Sequence, residues 1–242
     1  MEAHPEATIA ELVAPVIDRL RAAVSGGGAA RLFAQGVVQS SGLSRRSGNL
    51  FGNLRACYPS RAVPVAWWRA TFTYLPAAET DAAVEDVTSR GLVQVSDDKV
   101  ALTDAGRSLM ELFQAAFDAE AEELWGARHP AHLLELTDRV LRKALEDPGP
   151  TLQVMAPPYD PEASTVASRL AERLTGLRFA RYDAHIAAWT AAGATASNVE
   201  DLSTDARAEV ERETNRLAGV PYVVLAPEER LALLGGLAAL RG

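Results

Sequence analysis

The side chains best suited to chemistry lie in Arg178 to Trp189, RFARYDAHIAAW, and in Glu211 to Tyr222, ERETNRLAGVPY. On a helix, Tyr182, His185 and Trp189 share one face at spacings of three and four, with Arg181 and Asp183 flanking it. A histidine between a tyrosine and a tryptophan can exchange a proton near neutral pH and present a polar tip inside an aromatic ligand pocket. Glu213 and Asn215, on the next helix, stand within plausible reach, the carboxylate to orient the imidazole and the amide to meet a ligand. If the chain is catalytic, its chemistry would run on His185, Asp183, Glu213 or Tyr182. The plainer alternative is a buried, hydrogen-bonded histidine that joins two helices.

Two further groups of residues qualify. Trp67 and Trp68 are adjacent, so on a helix they point about 100° apart; one belongs in the core and the other can line a cleft. Arg45, Arg46, Arg55, Arg61 and Arg69 cluster with Asn49, Asn53 and Tyr58. With Arg90 they are the candidates for phosphate contacts to DNA, or for binding an anionic small molecule. His129 and His132 in HPAH have a proline between them and no carboxylate at a fixed offset, which reads as a helix start rather than a metal site. The chain has no GxSxG, P-loop or GxGxxG motif. Cys57 is the single cysteine, which excludes an intrachain disulfide and any Cys-based cluster and suits a reducing cytoplasm. No metal and no cofactor is expected.

Composition bounds the partners. The 242 residues are 48% hydrophobic and 23% charged, enough for one large or two modest cores. A net charge of −8 argues against a surface that draws most of its affinity from phosphate neutralisation. The N-terminus MEAHPEATIAELV has no basic or continuous apolar segment, and no apolar run reaches the ~18 residues of a membrane span. A cytoplasmic protein without membrane contact is expected.

The elements that must position these residues read as mainly α. Ile9, Leu12, Val13, Val16, Ile17, Leu20 and Val24 form the apolar face of a first helix ending at Gly26 to Gly28, and a second helix covers about 29–39. Ser40 to Pro64, rich in Ser, Gly, Asn and Arg, predicts a long connection with at most a short helix near 50–57. Val65 to Tyr74 is helical in pattern, and Pro76 starts a turn. In Asp81 to Met110, a helix carrying Val84 and Val87 stops at Gly91. Leu92, Val93 and Val95 alternate as a strand, Ser96 to Asp98 turn, Val100 and Leu102 return, and Thr103 with Asp104 starts a helix. Helices follow at about 104–124 and 131–146. Asp147-Pro-Gly-Pro150 marks a boundary between regions 1–147 and 151–242. Beyond it come a strand or extended link at Leu152 to Met155, then helices at about 162–192 with a break near Gly176, 204–218 and 227–240.

Helix, two-stranded wing and helix over about 62–113 describe a winged helix-turn-helix joined to an α-helical C-terminal region. The segments GLVQVSDDKVALTDAGRSLMEL and LAPEERLALLGGLAAL resemble the wing and closing helix of MarR-like winged-helix regulators. RYDAHIAAW, ERETNRLAGVPY and the PEER end resemble an actinobacterial group of helix-turn-helix-like proteins with no settled activity. The resemblance implies a DNA-binding homodimer that answers to a small molecule. Charge argues otherwise: the helix that would enter the groove carries Glu79, Asp81, Glu85 and Asp86 against Arg90, and the wing tip carries Asp97 and Asp98. Two readings follow. One is a small-molecule-responsive transcriptional regulator, with Arg45, Arg46, Arg55, Arg61 and Arg90 on DNA. The other is a winged helix repurposed without DNA binding, as a binding protein or enzyme, with Trp67, Trp68, Tyr182, His185, Trp189 and Asn215 around a ligand.

Overall fold

The computed structural model describes residues 5–57, 61–195, 198 and 201–242. Tyr58, expected in the basic loop, lies outside them, as does the side chain of Cys57. Among the described residues the chain is mainly helical, with one three-stranded antiparallel sheet. None of these helices is long and apolar enough to cross a membrane.

Helix α1 spans Pro5–Ala34. It was expected to stop at Gly26 to Gly28, but it runs straight through them. A Cβ on Gly28 would lie 3.0 Å from the Phe117 ring, so this glycine serves close helix packing rather than a turn. Its buried face, Ile9, Val13, Ile17, Leu20, Val24 and Leu32, follows the predicted period, whereas Leu12 is exposed.

The segment predicted as a long connection is largely helical instead. It holds α2 (Val37–Ser41), α3 (Arg45–Asn53) and a 3-10 turn (Leu54–Cys57). Ser44 caps α3 by accepting the Ser47 N–H, and Ser47, Leu50 and Phe51 bury one face that frequent Gly and Asn had masked. Strand β1 (Val63–Pro64) leads into α4 (Val65–Ala70), and α5 covers Ala77–Ser89 after Pro76. Gly91, at φ 68°, follows its end.

Strands β2 (Val93–Ser96) and β3 (Lys99–Leu102) pair Val93 with Leu102 and Ser96 with Lys99. Their two-residue turn puts Asp97 and Asp98 at φ 50° and 58°, as a primed hairpin turn requires. The expected two-stranded wing gains a third strand, because β1 pairs with β3 through Val63 and Val100. The sheet order is β1-β3-β2, which leaves Pro64 on an edge, where a missing N–H is tolerated.

Thr103 caps α6 (Asp104–Trp125), and α7 follows at Ala131–Ala144. Leu152 to Met155 is not a strand: Pro150 opens the short helix α8 (Pro150–Gln153). The Asp183 carboxylate accepts the N–H groups of Thr151 and Leu152 at 2.9 Å, a helix cap supplied from another element. Helix α9 (Val166–Ala191) has no break at Gly176. Here too a Cβ would collide, 2.6 Å from the Met155 sulfur. Helices α10 (Thr204–Gly219) and α11 (Pro227–Ala238) close the chain.

Among the described residues two large apolar cores result, with a third, smaller cluster of Ala188, Trp189, Ala194 and Val210 against which Tyr74 packs. One gathers α7, α9, α10 and α11 on the N-terminal half of α1, with Trp125, Leu136, Leu174 and Phe179. The other packs α3, α4, α5 and the sheet on the C-terminal end of α1 and on α6, with Leu32, Phe51, Trp68 and Met110. Neither stops at Asp147 to Pro150: the first includes Ile9 to Val24, and the second includes Val154.

Candidate functional site

Helix α9 presents Arg178, Tyr182, His185 and Trp189 along one face, and the turn after α4 delivers Tyr74 onto it. The Tyr74 ring meets Tyr182 edge-on at 4.9 Å and Trp189 at 5.0 Å. Its hydroxyl oxygen lies 2.8 Å from His185 Nδ1. Burial lowers the His185 imidazole below its ordinary range and raises the Tyr74 phenol. A protonated phenol therefore faces a neutral imidazole and can donate to it. Burial likewise raises the phenol of Tyr182, whose ring carries the Arg178 guanidinium at 4.5 Å.

The pairing of Tyr74 with His185 could not be read from the sequence, because the two lie 111 residues apart. The expected carboxylate partner is not the one that arrives. Glu213 pairs with Arg216 one turn along α10, at 2.6 Å. Asn215 is buried and accepts from Arg181 at 2.8 Å, and Glu211 takes the same guanidinium. Asp183 is committed to capping α8, and burial raises its carboxyl. Trp68 is fully buried and donates to the Leu50 carbonyl at 2.8 Å, so it is core. Trp67 is half-buried and packs against the same core.

The six candidate DNA arginines are differently engaged. Arg46 pairs with Glu79 at 2.6 Å and Arg90 with Asp86 at 2.7 Å. Arg55 is buried against Glu172. Arg61 donates to the carbonyls of Gln153 and Val154, at 2.9 and 2.6 Å. Arg45 is exposed, and Arg69 pairs with Asp81. Three of these pairs neutralise acids of α5, the helix that was expected to face DNA. His129 and His132 are exposed, and His132 lies beside Glu135.

Two cavities meet at the Tyr74–Tyr182 wall. The smaller, about 280 Å³, reaches His185 between α1, α9 and α10, with Arg181 and Glu211 at its edge. The larger, about 700 Å³, lies on the other side between α1, α3, α6, α9 and the turn after α4. Arg45, Gly48, Asn49, Gly52 and Asn53 of α3 line it at spacings of three, four, seven and eight, so one face of that helix forms a wall. The two glycines keep that wall thin: a Cβ on Gly48 would enter open space. Phe113 and Phe117 of α6 and Phe179 of α9 supply apolar surface.

Compared with known families, with curated proteins and with solved structures, the chain gives no match.

Proposed function

We propose that the chain is a small-molecule-binding protein built on a winged helix-turn-helix scaffold, with the cavity of about 700 Å³ as its ligand site. The observation that carries the reading is that cavity: it falls in the size range of ligand pockets and combines aromatic walls with a few convergent polar groups. It also lies between the two cores, where an occupant would touch both. The element order α3-β1-α4-α5-β2-β3, with sheet order β1-β3-β2, supports the winged-helix assignment. In this reading α5 would be the groove helix, and its acids paired with Arg46, Arg69 and Arg90 speak against duplex binding.

The test uses N-phenyl-1-naphthylamine, a neutral fluorophore. Saturable one-to-one binding is expected, abolished by Gly48→Leu without loss of thermal stability. Binding unaffected by Gly48→Leu would place the probe elsewhere and exclude this site.

The second reading, a ligand-responsive transcriptional regulator acting as a homodimer, is favoured by the element order and by the exposed Arg45. Titration with genomic duplex fragments at low salt separates the two. Salt-dependent binding would favour the regulator, and its absence would leave the binding-protein reading alone.

A further inference from the structure

The larger cavity has a one-sided charge. The whole chain carries 32 acidic and 24 basic residues, yet four arginines and no aspartate or glutamate are among the residues that line this space. Two of the four are paired and a third is exposed to solvent. Arg55 is paired with Glu172 behind the wall and stacked over the Phe117 ring at 4.7 Å. Arg178 is paired with Asp18 at 2.7 Å. Arg45 is exposed, as is Phe33 on the same cavity.

Arg21 is different. It projects from α1 in the row Arg21, Ser25, Ala29, four residues apart, that borders the cavity. Its Nε donates to the Thr175 hydroxyl at 3.2 Å. Among the described residues it has no ion-pair partner, and its two terminal nitrogens have no hydrogen-bond partner. Asp18, one turn earlier on the same helix, is taken by Arg178. A half-buried guanidinium with no ion-pair partner of its own, and with Asp18 acting on it only at longer range, gains from a group that supplies negative charge. Its planar fork matches a carboxylate. Burial, with Arg178 nearby, lowers Arg21 to about 10, so it stays charged at neutral pH and gains from an incoming anion.

We propose that this cavity binds an amphipathic organic acid, its carboxylate held by Arg21 and its apolar body lying against Phe113, Phe117 and Phe179. The inference rests on reading the cavity as a ligand site and adds the chemical class of its occupant. Arg55 and Arg178, each already neutralised, contribute apolar and cation–π surface, while the open charge is left to Arg21. Thr175, which receives the Arg21 Nε–H, sets the orientation of the fork.

The experiment is displacement of N-phenyl-1-naphthylamine by decanoate and by decanol, which share one chain length and differ in charge. Decanoate is expected to bind at least tenfold more tightly than decanol. Arg21→Met should erase that advantage while leaving decanol within about twofold. Arg21→Lys keeps the charge but loses the fork, so it should weaken decanoate several-fold and leave decanol alone, a result that does not depend on the Met variant folding. Equal displacement by acid and alcohol, or Arg21→Met weakening both alike, would overturn the anion inference and leave a ligand site of another chemistry. Failure of the fluorophore to bind, or its indifference to Gly48→Leu, would instead remove the ligand site itself.

Discussion

The Tyr74 hydroxyl oxygen lies 2.8 Å from Nδ1 of His185, tying the turn after α4 to the middle of α9. The contact also separates the two cavities, since Tyr74 borders both. It makes one wall of the candidate site dependent on a side chain that can gain a proton.

His185 titrates below its ordinary value because burial disfavours the imidazolium. The unfolded chain then binds more protons than the folded one, so stability rises with pH through the window from the lowered folded value up to about 6.5, and is fully present above it. The melting temperature should fall as pH drops from 7 to 5, and His185→Gln should flatten that part of the profile. Tyr74→Phe removes the donor to the neutral ring, so the His185 proton resonances should titrate at higher pH than in the unaltered chain. An unchanged titration in Tyr74→Phe would mean that the hydrogen bond does not hold the neutral form.

Arg55 and Glu172 form a buried pair. Removing either partner leaves an uncompensated charge, so Glu172→Met should cost about 3–5 kcal/mol. The double change Arg55→Met with Glu172→Met should recover most of that loss. Denaturant unfolding of the four proteins checks the cycle, and additive losses would show that the pair is not coupled.

Gly106 and Gly48 make opposite predictions from the same substitution. At Gly106 a Cβ would sit 1.9 Å from the Leu92 carbonyl oxygen, which is backbone and cannot swing away. Gly106→Ala should therefore destabilise by about 1–3 kcal/mol. Gly48 lies inside α3 with open space around it, so Gly48→Ala should stabilise by up to about 1 kcal/mol through helix propensity. Thermal melts of both variants decide it, and a stabilised Gly106→Ala would contradict the close approach of α6 to the Leu92 backbone.

Arg61 donates to the carbonyls of Gln153 and Val154 at the end of α8. Arg61→Ala should cost about 1–3 kcal/mol, the scale for a charged donor withdrawn from partly buried acceptors. It should leave any duplex affinity unchanged at every salt concentration. A lost salt dependence without a stability change would return Arg61 to a phosphate-contacting role.

The periodic parts of the fold were legible where apolar spacing was regular. The hairpin could be read from Leu92 to Leu102, the cap from Thr103, and the face of Tyr182, His185 and Trp189 from their spacing. Glycine was misread where it allows close packing. Gly28 and Gly176 suggested breaks, yet each lies inside an unbroken helix against a neighbouring side chain. Leu152 to Met155 read as a strand or an extended link because the cap of α8, Asp183, is more than thirty residues away. The arginine cluster could be seen, but not its distant partners: Glu79 and Glu172 take Arg46 and Arg55 from elsewhere in the chain, whereas Asp86 and Arg90 are a local pair four residues apart. Arg21 carried no local signal, since its significance comes from the carboxylate it lacks.

Helix α1 also bears on the order in which the fold can close. It precedes the other described helices, yet its N-terminal half is covered by α10 and α11, the most distant of them along the chain. Arg19 donates to the Leu240 carbonyl at 3.0 Å, and Gly219 packs against the Glu6 backbone. Until α10 and α11 dock, Ile9, Val13 and Ile17 lack the cover that these two helices supply. The apolar stripe of α1 is therefore sealed by contacts as much as 221 residues apart in sequence, which are slow to form and leave the stripe open to aggregation in partly folded chains.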